Sequence, residues 1–453
     1  MKKGLKPLMS KQLWLVPLSV LLWGSVQAAQ QTDATIFPSP TATRLAVADF
    51  TPRTSASTET QTALSVFNRV LLDDLKFSEF FEIPSKSFYP LKPVRAPQDV
   101  DFSNWQVPSL DVDFLAFGNL QVDSTATVVE AYLYDVKTHQ QVLGKRFTIS
   151  DPTLIRRVAH EFADQIVYEL SAGASLGVAK SQIAYVSQKG DTKEVWIMDY
   201  DGANARQLSF NGGLNKFPEW SYDDKRLVYV TKLPTENRWQ LRIQEIDGPV
   251  RDINVPGSYV SSPAFGPTGR LAFSASTANS RGADIFVSAA DGRGMRDITN
   301  AAGIDTSPSW SPTGSQIAFI SDRSGSPQVW IMDSDGSNVR RLIVEGGHCD
   351  SPDWSPDGRY ILYSWQAPHQ WKHDIYLVEI ATGRINQLTR GSGSYESPHW
   401  SPDGRHITFQ STRSGSKQIF IMNVDGKNLK QVSAYGINES PSWAPYPPAT
   451  PAQ

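Results

Sequence analysis

A Pro-x-Trp strand that recurs at nearly constant spacing constrains the fold of this chain more than any other feature. In the copy at residues 351–359, SPDWSPDGR, the proline, aspartate and glycine favour a tight type I turn, and an apolar strand follows. Successive copies lie 45, 45, 44, 46 and 43 residues apart. The copies are residues 218–220, 263–265, 308–310, 352–354, 398–400 and 441–443, and in the second of them Phe265 stands in place of the tryptophan. A period of this length predicts a repeat architecture.

Each repeat contains four short strands, which is typical of a β-propeller blade. The series begins with the second strand of a repeat, at residues 182–186, and ends with a first strand, at residues 441–443. The last strand is therefore expected to complete the first blade and to leave no open sheet edge. The sequence predicts an all-β, six-bladed propeller over residues 179–444, closed by a C-terminal strand.

The chain before the repeats has a different pattern. An apolar strand begins at Leu45, residues 60–75 place apolar side chains on one helical stripe, and residues 113–120 form a buried strand. A hairpin is expected at residues 127–134 and 141–149. Asp151 and Pro152 are typical of a helix start, at N-cap and N1. These elements predict an α/β domain over residues 44–178.

The two ends of the chain have their own compositions. Four lysines, an apolar run and the small-x-small end Val26-Gln-Ala28 are typical of a secretory signal over residues 1–28. An uncleaved membrane anchor is the alternative, but the apolar run is shorter than the ~20 residues of a spanning helix. A flexible arm is expected at residues 29–43 and a proline-rich tail at 445–453.

Charge and cysteine content narrow the function classes. Cleavage of the predicted signal would remove its four lysines and take the formal net charge from −3 to −7. A negative chain of this kind is a poor candidate for nucleic-acid binding. Cys349 is the only cysteine, so it has no internal disulfide partner. No cofactor is predicted, and the mature chain is expected to be a monomer that does not span the membrane.

The channel mouth of the propeller is the predicted binding surface, because loops on a rigid scaffold are where binding residues concentrate. Its positions are the residues just before each proline of the repeat. Acidic side chains occur two residues before three of these prolines, and Tyr259, Tyr395 and Phe217 add aromatic surface. The candidate contacts are Tyr259, Ser262, Thr306, Asp350, Glu396 and Glu439. The alternative is that these residues serve only hydrogen bonds between blades.

Three motifs suggest chemistry, and each has a plainer interpretation. His348, Cys349, His369 and His373 could bind zinc, but their spacing matches no zinc-ligand pattern, so a polar loop is favoured. Residues 173–177 match G-x-S-x-G, yet a helix precedes them where a nucleophile elbow needs a strand. Asp333 and Asp335 suggest a calcium loop but lack its glycine and glutamate, so a turn is favoured.

The repeated S-P-D-G, I-A-F or I-L-Y, and I-M-x-x-D-G segments, behind an α/β domain and a signal peptide, resemble the TolB family over nearly all of the mature length. The resemblance implies a periplasmic component of the Tol-Pal system that supports outer-membrane integrity and cell division. It implies that the mouth binds the Pal lipoprotein and that the arm binds TolA. Only Ala34, Thr35, Ile36 and Phe37 fit such an arm before the prolines. Alternatives are an exported propeller hydrolase or a scaffold for another partner; a binding protein and not an enzyme is favoured.

Overall fold

The computed structural model describes residue 1 and residues 43–54, 56–257, 259–277, 282–344 and 346–446. The predicted signal, the arm residues 34–37 and most of the proline-rich tail lie outside this part of the chain. Within it, no helix combines the length and the apolar character needed to cross a membrane.

The N-terminal region forms a mixed sheet with two helices packed on it. The sheet order is β3-β1-β4-β5-β6, and β2 pairs with β4. The strands are β1 (Thr43–Val47), β2 (Thr51–Pro52), β3 (Phe81–Glu82), β4 (Phe114–Val122), β5 (Thr127–Asp135) and β6 (Gln141–Ile149). The helices are α1 (Thr58–Phe77) and α2 (Ile155–Leu170), and short 3₁₀ turns occupy Lys86–Phe88, Pro97–Asp99, Phe102–Trp105 and Pro152–Leu154.

Helix α1 begins at a capped position, whereas α2 follows a capped 3₁₀ turn. The Ser57 hydroxyl accepts the backbone N–H of Thr60 at the start of α1. Asp151 caps as expected, but it caps the 3₁₀ turn Pro152–Leu154, so α2 proper begins only at Ile155. The apolar stripe of α1, including Leu64, Phe67 and Leu71, is buried against the sheet.

The repeats form antiparallel sheets, in agreement with the predicted β-propeller. Four sheets have four strands each, in chain order, and one sheet of eight strands has the order β13-β12-β11-β10-β8-β7-β30, with β9 on β8. The eight-stranded sheet contains β7 (Gln182–Lys189), β8 (Thr192–Asp199), β9 (Arg206–Gln207), β10 (Leu214–Trp220), β11 (Arg226–Lys232), β12 (Gln240–Glu245), β13 (Val250–Ile253) and β30 (Ile437–Trp443).

The four-stranded sheets follow one another along the chain. The first is β14 (Tyr259–Phe265), β15 (Arg270–Ser276), β16 (Asp284–Ala289) and β17 (Arg296–Asp297); the second is β18 (Asp305–Trp310), β19 (Gln316–Ser321), β20 (Gln328–Asp333) and β21 (Arg340–Arg341). The third is β22 (His348–Trp354), β23 (Tyr360–Gln366), β24 (Asp374–Glu379) and β25 (Ile385–Gln387); the fourth is β26 (Tyr395–Trp400), β27 (His406–Ser411), β28 (Gln418–Asn423) and β29 (Lys430–Gln431).

The last strand pairs with the first strand of the repeats. β30 is antiparallel to β7, with Ile437 opposite Gln188 and Trp443 opposite Ile183. Trp443 is 1% exposed and its indole N–H donates to Ser181 Oγ at 2.7 Å. The two ends of the repeat region are therefore joined by a strand ladder and by a buried aromatic anchor.

The tryptophans of the Pro-x-Trp strands pack between adjacent sheets. The indole N–H of Trp310 donates to the carbonyl of Ala264, and that of Trp400 to the carbonyl of Asp353, at 3.1 and 3.2 Å. Trp220 makes the same contact with Ser442. These side chains are at most 5% exposed, so they hold neighbouring sheets together and offer no platform to a ligand.

The N-terminal helices contact the propeller through buried polar groups. Asp74 of α1 accepts hydrogen bonds from the Tyr200 hydroxyl, at 2.8 Å, and from His160 Nδ1 of α2, at 2.7 Å. Phe77 stacks on His406 with ring centroids 4.0 Å apart. This contact surface lies on the side of the S-P-D-G turns, away from the starts of the inner strands.

Candidate functional site

The inner strands surround a cavity of about 780 Å³. These strands are β10, β14, β18, β22, β26 and β30, and each carries one copy of the repeated motif. Their regular arrangement places equivalent residues at equal depth, so side chains from distant parts of the sequence form layers around the cavity. We call the layer formed by Tyr259 and by the residues one and two before each proline the mouth, and the layer formed by the residue after each proline the waist.

The residue before each inner-strand proline has a left-handed backbone conformation. The φ angles lie between 46° and 54°, and the strand register shifts at each position. The residues are Phe217, Ser262, Ser307, Ser351, Ser397 and Ser440. Such bulges redirect the side chains next to them. The proline explains only why the right-handed helical region is disfavoured there, so the sequence does not predict the bulge.

All six predicted mouth residues line the cavity. They are Tyr259, Ser262, Thr306, Asp350, Glu396 and Glu439. The structure thus brings together residues that are up to 180 positions apart in the chain. Tyr259 is 44% and Phe217 38% exposed, as an aromatic surface requires. Tyr395 does not contribute, because it is buried and its hydroxyl donates to the carbonyls of Arg390 and Ser392.

Two of the mouth carboxylates are paired with lysines that the sequence analysis missed. Lys417 Nζ lies 3.4 Å from Glu396 and 3.9 Å from Glu439, and Lys193 also contacts Glu439. Burial raises the pKa of Glu396, but the Ser394 hydroxyl and Lys417 outweigh it and hold the pKa below its usual range. The mouth therefore alternates in charge and is not a simple acidic ring.

Asp350 is the mouth carboxylate with a different environment. It accepts the backbone N–H of Ser351 at 2.7 Å and the Ser307 hydroxyl at 3.4 Å. Although its side chain still faces the open cavity, the surrounding walls desolvate it, and this burial raises its pKa. The nearby acidic residue Asp305 instead forms a buried ion pair with Arg323 at 2.6 Å.

A charged group at the waist was not predicted. His399 Nε2 lies 3.3 Å from Glu219, and His399 Nδ1 lies 3.7 Å from Asp353. Burial alone would lower the pKa of His399, but the two carboxylates raise it to about 10. Burial raises the pKa of Asp353, and the positive charge on His399 opposes that change.

The waist residues also bind neighbouring strands. Asp353 accepts the backbone N–H of Trp400 at 2.8 Å, and Ser309 accepts that of Trp354 at 3.1 Å. Ser442 of the last strand donates to Glu219 at 2.8 Å. The residue between proline and tryptophan in each repeat is the signal that could have identified this layer, because its side chain faces the same way in every copy.

The three motifs with possible chemistry take their plainer interpretations. Cys349 is 2% exposed with its thiol toward Gln328, and within the described residues no group of three or more His, Cys, Asp or Glu is placed to hold a metal ion. Ser175 lies in the turns after α2, and its hydroxyl accepts the local N–H of Gly177 at 3.2 Å. Asp333 and Asp335 close the turn between β20 and β21.

Comparisons with known proteins agree with this architecture. A family model described as the TolB beta propeller domain matches residues 168–372 and 347–447. A protein named TolB homolog from Chlorobium luteolum is 30% identical over 225 residues, 49% of this chain and 50% of that protein. The Tol-Pal system protein TolB of Bordetella pertussis is 32% identical over 219 residues, 48% and 49% of the two chains. This chain thus spans about half the length of the curated relatives it matches.

A solved structure extends the similarity to the N-terminal region. The crystal structure of TolB from Acinetobacter baumannii superimposes with a TM-score of 0.73 at 25% sequence identity. The alignment covers 89% of this chain and 97% of that one. The similarity therefore includes both the N-terminal sheet with its helices and the propeller.

Proposed function

This chain belongs to the TolB β-propeller family, and on that premise we propose that it is the TolB component of a Tol-Pal system, located in the periplasm. The mouth binds the Pal lipoprotein, and the arm around Ala34, Thr35, Ile36 and Phe37 binds TolA. In this role the protein supports outer-membrane integrity and cell division. Its function is protein binding and not catalysis.

The observation that carries the proposal is the convergence of the six candidate residues on one open cavity. Exposed Tyr259 and Phe217 supply apolar contact area at the mouth, and the carboxylates and lysines supply polar groups around it. An apolar centre with a polar surround is the usual composition of a protein interface. The relatives named as Tol-Pal proteins support Pal as the partner.

We also propose that the ring has six blades, in a domain of residues 179–444 that follows an α/β domain of residues 44–178. The eight-stranded sheet then represents two blades, β30-β7-β8-β9 and β10 to β13. In support, each half has the strand order of the four-stranded sheets. The two halves are joined where Leu214 of β10 pairs with Lys193 of β8.

Capture of the purified periplasmic domain of Pal tests the mouth. Glu396→Lys combined with Glu439→Lys would place like charges beside Lys417 and Lys193, so we expect Pal affinity to fall at least about tenfold, which is about 1.4 kcal/mol. Asp247→Lys is the matched control, because Asp247 is 91% exposed in a turn on the opposite side of the propeller. Unchanged capture by the double variant would contradict the assignment.

Capture of the periplasmic part of TolA tests the arm separately. Deletion of residues 34–37 should abolish TolA capture and leave Pal capture intact. A deletion variant that still binds TolA would exclude the arm, and failure of the wild type to bind either protein would favour a different partner for the propeller.

A further inference from the structure

A second concave site lies beside the mouth, on the sheet β22–β25. It is a pocket of about 260 Å³ at the end of β23 and the start of β24. Trp365 and Tyr376 form its aromatic walls, with ring centroids 5.1 Å apart and an interplanar angle of 88°. Gln370, Lys372, Asp374 and Gln387 supply its polar groups.

Trp365 breaks a rule that all the other repeats obey. It lies opposite Asp374 in the β23–β24 ladder. In the other repeats, the equivalent residue lies opposite the equivalent of Asp374, which is Glu194, Gln240, Asp284, Gln328 or Gln418. The residues that occupy that position elsewhere are all small: Ser187, Thr231, Ala275, Ser321 and Ser411. A tryptophan is therefore not needed to build a sheet of this kind.

The surroundings of Trp365 hold its indole in place. Its indole N–H donates to the carbonyl of Gly346 at 2.9 Å. A side chain at Gly347 would place its Cβ 2.8 Å from the indole nitrogen and 2.3 Å from the carbonyl oxygen of Gln366, so only glycine fits beside it. The φ angle of Gly347, +94°, requires glycine as well. The indole is thus held in one orientation at the wall of the pocket.

The loop of residues 367–373 connects this pocket to the mouth. His373 at its end lines the channel cavity and lies 3.8 Å from Glu396, while Gln370 and Lys372 line the small pocket. Between them, Trp371 is 77% exposed. Its indole adds apolar surface to the loop between the pocket and the mouth.

The polar groups of the pocket are fixed in position. Lys372 Nζ lies 3.1 Å from Asp374 and donates to the carbonyl of Gly391 at 2.9 Å. Gln387 donates to the carbonyl of Thr389 at 2.9 Å, which directs its amide. An ammonium group has three donors and a carboxylate about four acceptor sites, so Lys372 and Asp374 retain capacity for a ligand.

Size and chemistry together indicate the class of ligand. Ordinary ligand pockets begin at about 300 Å³, so this pocket takes a single ring-sized group. A purely apolar ring would desolvate the lysine, the carboxylate and the amides without replacing their hydrogen bonds. Because Lys372 is already paired with Asp374, a charged ligand gains little. We propose that this pocket binds one ring of a neutral saccharide, with an apolar ring face against Trp365 and hydroxyl groups toward Lys372, Asp374 and Gln387.

Isothermal titration of the full-length mature protein with chitotriose, cellotriose and maltotriose tests the proposal. A single ring of about a dozen heavy atoms supports a dissociation constant on the order of 1–10 mM. We expect at least one of the three to bind in this range. Trp365→Ser and Lys372→Met should each weaken that binding at least about tenfold. Trp365→Ser installs the small residue type of the other sheets, and Lys372→Met tests the pocket without removing a packed aromatic side chain.

The controls distinguish an effect at this pocket from an effect at the mouth and from a general loss of folding. Trp239→Ser removes a tryptophan from the corresponding loop before β12 and should leave binding unchanged. Absence of binding by all three saccharides, or binding that Trp365→Ser leaves intact, would overturn the proposal. So would a loss of Pal capture on Trp365→Ser without saccharide binding, since that result would mark a protein contact. Saccharide binding does not depend on Pal binding, so each proposal can fail alone.

Discussion

The residue directly before each of the six inner-strand prolines has a left-handed backbone conformation, and five of these six residues are serines. A non-glycine residue in this conformation costs about 1–2 kcal/mol, so its repetition indicates that the bulge has a positional purpose. The bulges place the mouth side chains around the cavity. The sequence predicted which residues reach the mouth, because the repeat aligns them, but it did not predict their charge partners. Lys193 and Glu439 are 246 residues apart and share no local pattern.

The waist histidine should make stability depend on pH. The pKa of His399 is about 10 in the folded protein against about 6.5 unfolded, so its stabilising contribution is complete below about pH 6.5 and is lost as pH rises through 10. His399→Gln should therefore cost most near pH 6, on the order of 2 kcal/mol or more, and progressively less toward pH 10.

Urea unfolding across this pH range measures the difference between the two proteins. His348→Gln, at the exposed start of β22, controls for the loss of a histidine. A wild-type advantage that stays constant from pH 6 to pH 10 would contradict the ion-pair interpretation.

At the scale of elements, the sequence was most informative where the pattern repeats. Strand order and the turns were predictable from one motif, and the pairing of β30 with β7 followed from counting strands. The region between Phe80 and Pro108 was not predictable, because it forms a short strand and 3₁₀ turns in which Trp105 is buried by tertiary packing alone. No periodicity records such packing.

A disulfide across the closing ladder should stabilise the ring. Ile437 and Gln188 are cross-strand partners near the exposed end of β30, and such pairs have Cα separations compatible with a disulfide. Ile437→Cys with Gln188→Cys would close a loop of about 250 residues, for which loop entropy allows up to about 5 kcal/mol. We expect a higher melting temperature in the oxidised form.

The reduced double variant and the single variant Ile437→Cys are the controls. The native Cys349 is 2% exposed and should not compete for the new cysteines. If the cysteines fail to oxidise in the folded protein, the ladder between β30 and β7 is not present in solution.

At the scale of the whole molecule, the contact between the N-terminal helices and the propeller is built from polar groups that belong to no sequence motif. Asp164 of α2 accepts the backbone N–H groups of Ala179 and Lys180, which fixes the start of the repeat region. Burial raises the pKa of Asp164 to about 7 against these hydrogen bonds. Arg156 of α2 contacts Asp201, in the turn after β8, at 2.6 Å. Such pairs join surfaces far apart in sequence, so only the folded chain reveals them.

Loss of the Arg156–Asp201 pair should loosen this contact. Both side chains are about one-fifth exposed, which places the pair between surface and buried cases, so Asp201→Asn should lower the unfolding free energy by about 1–3 kcal/mol. It should also speed hydrogen exchange at residues 178–181. Asp247→Asn is the matched control, since Asp247 faces Arg206 at 3.7 Å and is 91% exposed. Equal effects of the two substitutions would show that the contact does not depend on this pair.

The ladder between β30 and β7 also sets the order of events when the chain is made. A ribosome or a translocation pore delivers residues 182–189 about 250 residues before residues 437–443, and during that interval β7 has an unpaired edge and Trp443 is missing from its place beside Ser181. Exposed strand edges recruit other chains. The propeller can therefore form its last contacts only after almost the whole chain has emerged, and a prematurely terminated product would keep an adhesive edge by which chaperones and proteases can distinguish it from the finished protein.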